Sequence, residues 1–190
     1  MMKKQHNIKI IIILSSLGFM ITGCGAPLST SKEFVSKTNV HQIASKSYAS
    51  YTNSRFHFRV EYPKSFLMER PPTDNDGRTW VSKDRNASFT VYGSYNVLNL
   101  TVSTGLHQYL ETPTWEKQSL RPIITHYERG SNWFTVYGYT NHSRRDIFCT
   151  KTIVGKHFYY VLSYGLKVSE ASKYKPILER VLNSFVPGPL

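Results

Sequence analysis

The 190-residue sequence predicts an α+β domain, an antiparallel sheet of about six to seven strands with helices packed on it. Three observations carry that expectation. Between Ile123 and Tyr164 four apolar-rich runs succeed one another across links of two to five residues, which suit antiparallel neighbours. Several of these runs, Phe158 to Leu162 among them, are apolar at both parities, so both faces of the sheet need cover. Finally, Tyr174, Ile177, Leu178, Val181 and Phe185 recur at three- and four-residue spacing, the period of one helix face.

In chain order, the folded part is expected to begin near Ser54, within a domain spanning 51–190. Phe56 to Tyr62 alternates apolar with polar residues, as a half-buried strand does, and Pro63 ends it. Phe66 to Glu69 reads as a short strand before Pro71-Pro72, and Thr73 to Gly77 as a turn. Thr79 to Ser82 and Ser88 to Tyr95 form a hairpin around Lys83 to Asn86. Leu106, Tyr109 and Leu110 then mark a helix with Ser103 and Thr104 as candidate caps, interrupted by Pro113; Trp115 to Leu120 adds another turn or two. The four strands that follow are Ile123 to Glu128, Trp133 to Thr140, Asp146 to Val154 and His157 to Tyr164. Ser169 or Ser172 caps the last helix, Pro176 marks a start nearby or a kink, and Pro187-Gly188-Pro189 stops it.

Ahead of the domain, Lys3, Lys4 and Lys9 precede the apolar run Ile10 to Leu14 and then small residues, the order of a secretory signal. The apolar character from Ile8 to Gly23 lasts 16 residues, short of the ~20 that span a bilayer. Ile21-Thr22-Gly23-Cys24 resembles the lipobox of bacterial lipoproteins. That resemblance implies cleavage between Gly23 and Cys24, diacylglycerol on the Cys24 thiol, and an acyl chain such as palmitate on the new amino terminus. Two or three chains make a stable anchor where one would not. Gly25 follows the cysteine, and by the same resemblance this favours the outer membrane, facing the periplasm. Residues 24–50 then read as the lipidated cysteine and a Ser-, Thr- and Lys-rich tether, with a short helix around Phe34 to Ile43 as an alternative. A flexible chain of this length reaches about 28 Å.

Removing residues 1–23 leaves 167 residues, enough for one domain with a real core. It also removes three of the 24 Lys+Arg and none of the 12 acids, leaving a mature charge of +9. A basic surface favours anionic partners. With nucleic acid excluded by compartment, these are an anionic envelope lipid or glycan or an envelope protein, against the plainer reading of a solvated basic surface. With Cys24 lipidated, Cys149 has no partner for an intramolecular disulfide, so stability comes from packing, for which 13 Tyr, 10 Phe and 3 Trp are suited.

Few residues are arranged for chemistry. Pro72 to Gly77 places Asp74 and Asp76 as in a calcium loop, but Pro72 and Lys83 stand where the first and twelfth ligands belong, so a plain turn is expected. His107 and Glu111, four apart, form a pair on a helix face with no third ligand nearby. Cys149 with one of the six histidines from His41 to His157 is the candidate for a nucleophile and base, yet a cysteine between Phe148 and Thr150 in a strand is more simply a small buried hydrophobe. No Gly-x-Ser-x-Gly elbow, phosphate loop or His-Glu-x-x-His is present, and no catalytic residue, metal or cofactor is expected. The candidate binding surface is aromatic and basic: Tyr92, Tyr95, Tyr137, Tyr139, Arg144 and Arg145, with Trp133 beside them; the plainer alternative is that these are strand-face and core residues.

The stretches YPKSF (62–66), DGRTWVS (76–82), FTVYGSYN (89–96), NWFTVYGY (132–139), FYYVLSYG (158–165) and YKPILERVLNSF (174–185) together resemble the PsbP-like (DcrB-like) superfamily, which recurs in exported bacterial proteins. The resemblance covers about residues 54–187. It implies an α/β/α sandwich built on an antiparallel sheet, no catalytic residue to carry over, and a binding or assembly-accessory role. Cys149 departs from it, standing where an aromatic is expected. The expected function is a membrane-anchored, non-enzymatic envelope lipoprotein; the alternative is an enzyme acting on an envelope substrate through Cys149 or a histidine.

Overall fold

Nine strands and two helices are formed by the described residues, 47–111 and 122–190 of the computed structural model. They are β1 (Tyr48–Thr52), β2 (Arg59–Pro63), β3 (Leu67–Met68), β4 (Gly77–Val81), β5 (Ala87–Tyr95), α1 (Val102–Leu110), β6 (Ile123–Arg129), β7 (Trp133–Tyr139), β8 (Asp146–Val154), β9 (Phe158–Lys167) and α2 (Ala171–Asn183). Seven strands make one antiparallel sheet in the order β3-β4-β5-β9-β8-β7-β6, and β1 pairs with β2 in a small second sheet. This is the α+β class read from the sequence. After β5 the chain carries α1 and returns at the far edge as β6; the meander β6 to β9 then brings β9 back beside β5.

Strand register separates the two faces of the large sheet, because successive side chains point to opposite sides. Phe89, Tyr164, Cys149 and Tyr137 lie opposite one another in neighbouring strands and share one face. That face carries the main core, in which Trp80, Phe89 and Leu162 pack with Phe58 and Val60 near β2 and with Leu178 and Val181 of α2. Thr90, Ser163, Thr150 and Val136 share the other face, where Leu106 of α1 packs with Phe134, Val136 and Val154.

The N-terminal boundary differs from the sequence expectation. The last three residues of the segment read as a tether, Tyr48 to Ser50, belong to β1, which pairs with β2 from Tyr48↔Pro63 to Thr52↔Arg59. This strand was hidden because its partner, and the rings that Tyr51 meets, Phe58 and Trp80, lie further along the chain. The alternating run starting at Phe56 enters its strand only at Arg59. Asn53 folds the preceding residues into a turn, its Oδ1 accepting from the Arg55 and Phe56 amides at 3.0 and 2.7 Å, with His57 at φ 58°.

Both helices are capped differently from the expectation. Thr101 caps α1: its hydroxyl accepts from the Thr104 amide at 3.1 Å, and the Thr104 hydroxyl accepts from the Thr101 amide at 2.9 Å. Thr104 is thus the reciprocal partner rather than the cap, and Ser103 takes no part in this exchange. Gly105 lets the helix settle on β7, since a Cβ there would stand 2.7 Å from the Phe134 ring. For α2, neither Ser169 nor Ser172 caps; a 3-10 turn, Val168–Glu170, leads straight in, and Pro176 is its sixth residue. The helix ends at Asn183, ahead of Pro187. The Ser184 hydroxyl donates to the Val181 carbonyl at 2.7 Å and accepts from the Glu61 amide at 2.9 Å, and Val186 then bridges Arg59. Phe185, expected on the helix, packs beyond its end against Phe58 at 6.2 Å.

The leader, Gly23, Cys24, the alternative helix at Phe34 to Ile43, Pro113 and Trp115 to Leu120 lie outside the described residues. Among the described residues no helix is long and apolar enough to cross a membrane.

Candidate functional site: an apolar tip at one end of the sheet

At the end of β5 the chain makes a tight loop whose centre is the buried side chain of Asn96. Its Nδ2 donates to the carbonyls of Leu100 (3.0 Å) and Gly155 (2.9 Å), its Oδ1 accepts from the Leu100 amide (2.6 Å), and its own amide donates to the His157 carbonyl (2.8 Å). One amide thus closes the loop on itself and ties it to the β8–β9 turn. Asn99 takes a left-handed φ of 52°, which asparagine tolerates. With the backbone held, the side chains it carries face solvent: Val97 is 79% exposed and Leu98 56%.

Aromatic and basic residues border this loop. Tyr95, 52% exposed, meets Phe56 and Phe158, each with ring centroids at 5.4 Å. The Arg55 guanidinium lies over Phe56 and Tyr95 at 5.0 and 5.7 Å, and Nη1 donates to the Asp74 carbonyl at 2.8 Å. Lys156 and His157 are exposed in the turn that Asn96 grips. The Tyr160 hydroxyl donates to the Pro189 carbonyl at 2.7 Å and so holds the segment that brings Leu190 against Gly155.

The six residues read from the sequence as a candidate surface do not form one. Tyr95 is at the tip. Tyr92 is on the opposite sheet face from Tyr95, and burial raises its phenol pKa, with Tyr109 and Tyr159 adding to the effect. Tyr137 is half-buried in the main-core face beside Cys149, its pKa pushed up to about 12 mainly by burial. Tyr139, Arg144 and Arg145 belong to the other end of the sheet, where the Arg144 guanidinium stands 5.7 Å over the Tyr139 ring and Arg145 is exposed. Trp133, six residues from Tyr139 along β7 and so about 20 Å away, carries Lys151 over its ring at 5.6 Å. Sequence reading passed over Arg55, Asn96, Val97 and Leu98. A signal was there: an apolar pair set between two asparagines in a turn has no core-facing period to explain it.

Cys149 is fully buried, and its pKa is pushed up to about 12, first by burial. Tyr164 and Tyr137 are its hydrogen-bonding neighbours, and no histidine among the described residues contributes. The group is therefore a neutral thiol near pH 7, and it fills the place of the expected aromatic between two tyrosine-bearing strands. His107 and Glu111 pair at 2.7 Å, both well exposed. Pro72 to Asn75 is a turn in which Asn75, at φ 51°, donates its amide to the Pro72 carbonyl at 3.1 Å, and Gly77 already opens β4. Among the described residues no group of three or more His, Cys, Asp or Glu side chains is placed to hold a metal ion.

No protein-family model matches the chain, and no curated protein sequence matches it. Solved structures do. LpqN of Mycobacterium tuberculosis, described as involved in cell envelope biogenesis, aligns with a TM-score of 0.45 at 10% identity over 79% of this chain and 96% of its own. A protein of Bacteroides thetaiotaomicron aligns with a TM-score of 0.39 at 13% identity, over 70% and 45%. PsbP (CyanoP) of Synechocystis sp. PCC 6803 aligns with a TM-score of 0.55 at 11% identity over 85% of this chain and 99% of its own, a likeness that extends to the fold alone and shows it to be PsbP-like.

Proposed function

We propose that this chain is a lipid-anchored lipoprotein of the bacterial envelope whose PsbP-like domain is a non-enzymatic binding module, engaging an envelope partner through the tip around Leu98. The observation that carries the reading is an exposed Val97–Leu98 pair on a backbone clamped by the buried Asn96. Apolar side chains on a held loop gain contact on binding without the cost of ordering a mobile segment. Tyr95 and Arg55 beside them are the residue types that interfaces favour. Support for the anchor is the sequence Ile21-Thr22-Gly23-Cys24 behind a basic and apolar leader. Outer-membrane attachment facing the periplasm is part of the proposal and rests on Gly25. A neutral, buried Cys149 speaks against the enzyme reading, because the thiolate is the nucleophile.

Two measurements test it in intact cells. A diazirine photo-crosslinker in place of Leu98 should acquire light-dependent mass adducts that the same group in place of His107 does not; no adducts, or equal adducts at both, would overturn the tip as the binding site. Cys24→Ala should yield an unlipidated precursor of higher polypeptide mass, and a wild-type chain whose Cys24 carries no lipid by mass spectrometry would end the anchor assignment.

A further inference from the structure

We infer that the partner of the tip is an anionic lipid bilayer, into whose interface Val97 and Leu98 insert; this rests on the tip being the binding site. Val97 and Leu98 are adjacent in a loop that follows a strand end, and at 79% and 56% exposure most of each side chain projects into solvent. A projecting apolar pair suits the headgroup boundary, where apolar side chains enter about 5–10 Å. Tyr95 completes the arrangement as a ring with a polar end, the kind enriched at membrane interfaces.

Charge selects among bilayers. The turn in direct contact with the loop, Gly155 to His157, carries Lys156 and His157 and no carboxylate, and Lys156 forms no ion pair among the described residues. On the other side of Tyr95, Arg55 holds the Asp74 carbonyl at 2.8 Å and stands 4.0 Å from the Asp74 carboxylate, so the unpaired cation beside the loop, among the described residues, is Lys156. A lysine close to an anionic surface strengthens binding about fivefold. The anchor supplies proximity. Twenty-two residues separate Cys24 from Ser47, a contour of at most about 80 Å, against about 27 Å for the length of β5, so either end of the sheet can meet the bilayer that holds Cys24.

The test uses the full chain with Leu98→Cys bearing an environment-sensitive dye, reconstituted in vesicles of phosphatidylcholine alone or with one third phosphatidylglycerol. The dye emission should shift to the blue with phosphatidylglycerol, much less without it, and Lys156→Glu should weaken the shift severalfold. A dye that reports water in both vesicles overturns the bilayer as partner. If the Leu98 crosslinker still acquires adducts in cells, the tip then serves a protein or glycan; if it does not, the binding reading itself fails. An equal shift in both vesicles would overturn the anionic requirement.

Discussion

Trp80 and Phe89, opposite one another on β4 and β5, stack with ring centroids 4.8 Å apart and planes 11° from parallel. Tyr62 stacks at 5.2 Å and Tyr51 meets Trp80 edge-on at 5.3 Å, so four rings tie the small sheet to the large one. The indole nitrogen is buried without a hydrogen-bond partner among the described residues. Trp80→Ala should therefore cost about 4 kcal/mol in urea unfolding, while Trp80→Phe, which removes the unpaired donor and leaves a smaller cavity, should cost about 1–2 kcal/mol. A larger loss for Phe than for Ala would show that the stack does not hold the two sheets together.

Asp84 fastens the β4–β5 turn to α2. Its Oδ2 accepts from the Tyr174 hydroxyl at 2.6 Å and from Lys173 at 2.9 Å, and its Oδ1 accepts from the Ser82 hydroxyl at 2.7 Å and the Asn86 amide at 3.1 Å. Burial alone would raise its pKa, but the hydrogen bonds from Tyr174, Ser82, Lys173 and the Asn86 amide outweigh it and hold the carboxyl well below the usual range. A depressed folded pKa means that the unfolded chain binds the proton first. The contribution is complete above the unfolded value of about 4 and is lost as pH falls below it. Asp84→Asn should cost about 2 kcal/mol at pH 7 and nearly nothing at the acid end of a stability–pH series.

The Cys149 thiol has the opposite sign. With the folded pKa pushed up to about 12, its contribution to stability is present below the ordinary thiol value and is lost as pH rises from there toward 12. Native protein at pH 8 should react with iodoacetamide at Cys149 at least a hundredfold more slowly than protein unfolded in urea, as read by mass spectrometry. Comparable rates would restore the cysteine as a candidate nucleophile.

Asn96→Ala removes both the closure of the tip loop and its tie to Gly155. The expected loss is about 2 kcal/mol, with hydrogen exchange at the amides of residues 97–100 accelerating more than at β8 or β9. Val97→Ser, which leaves every backbone bond in place, should change stability by less than about 0.5 kcal/mol.

Strands and helices were legible to the degree that their signals are local. The alternation at Phe56–Tyr62, the Asn- and Gly-bearing turns between β6 and β9 and the spacing from Tyr174 to Val181 each report on residues a few positions apart. Boundaries and caps were less so. Thr101 and Thr104 form one reciprocal pair whose members look alike in sequence, and Phe185 keeps helical spacing although Ser184 and Val186 have already turned the chain toward β2.

From residue order alone came the antiparallel meander, the packing helices and the charge balance, because side-chain period and turn chemistry act over a few bonds. Tertiary structure decided which strand β9 lies against, that Tyr48–Thr52 is a strand at all, and that Tyr95 and Tyr139 belong to opposite ends of the sheet. It also decided that Val97 and Leu98 stay in solvent while Cys149 does not. Exposure belongs to the segments that come to lie on a residue, and those arrive from dozens of positions away.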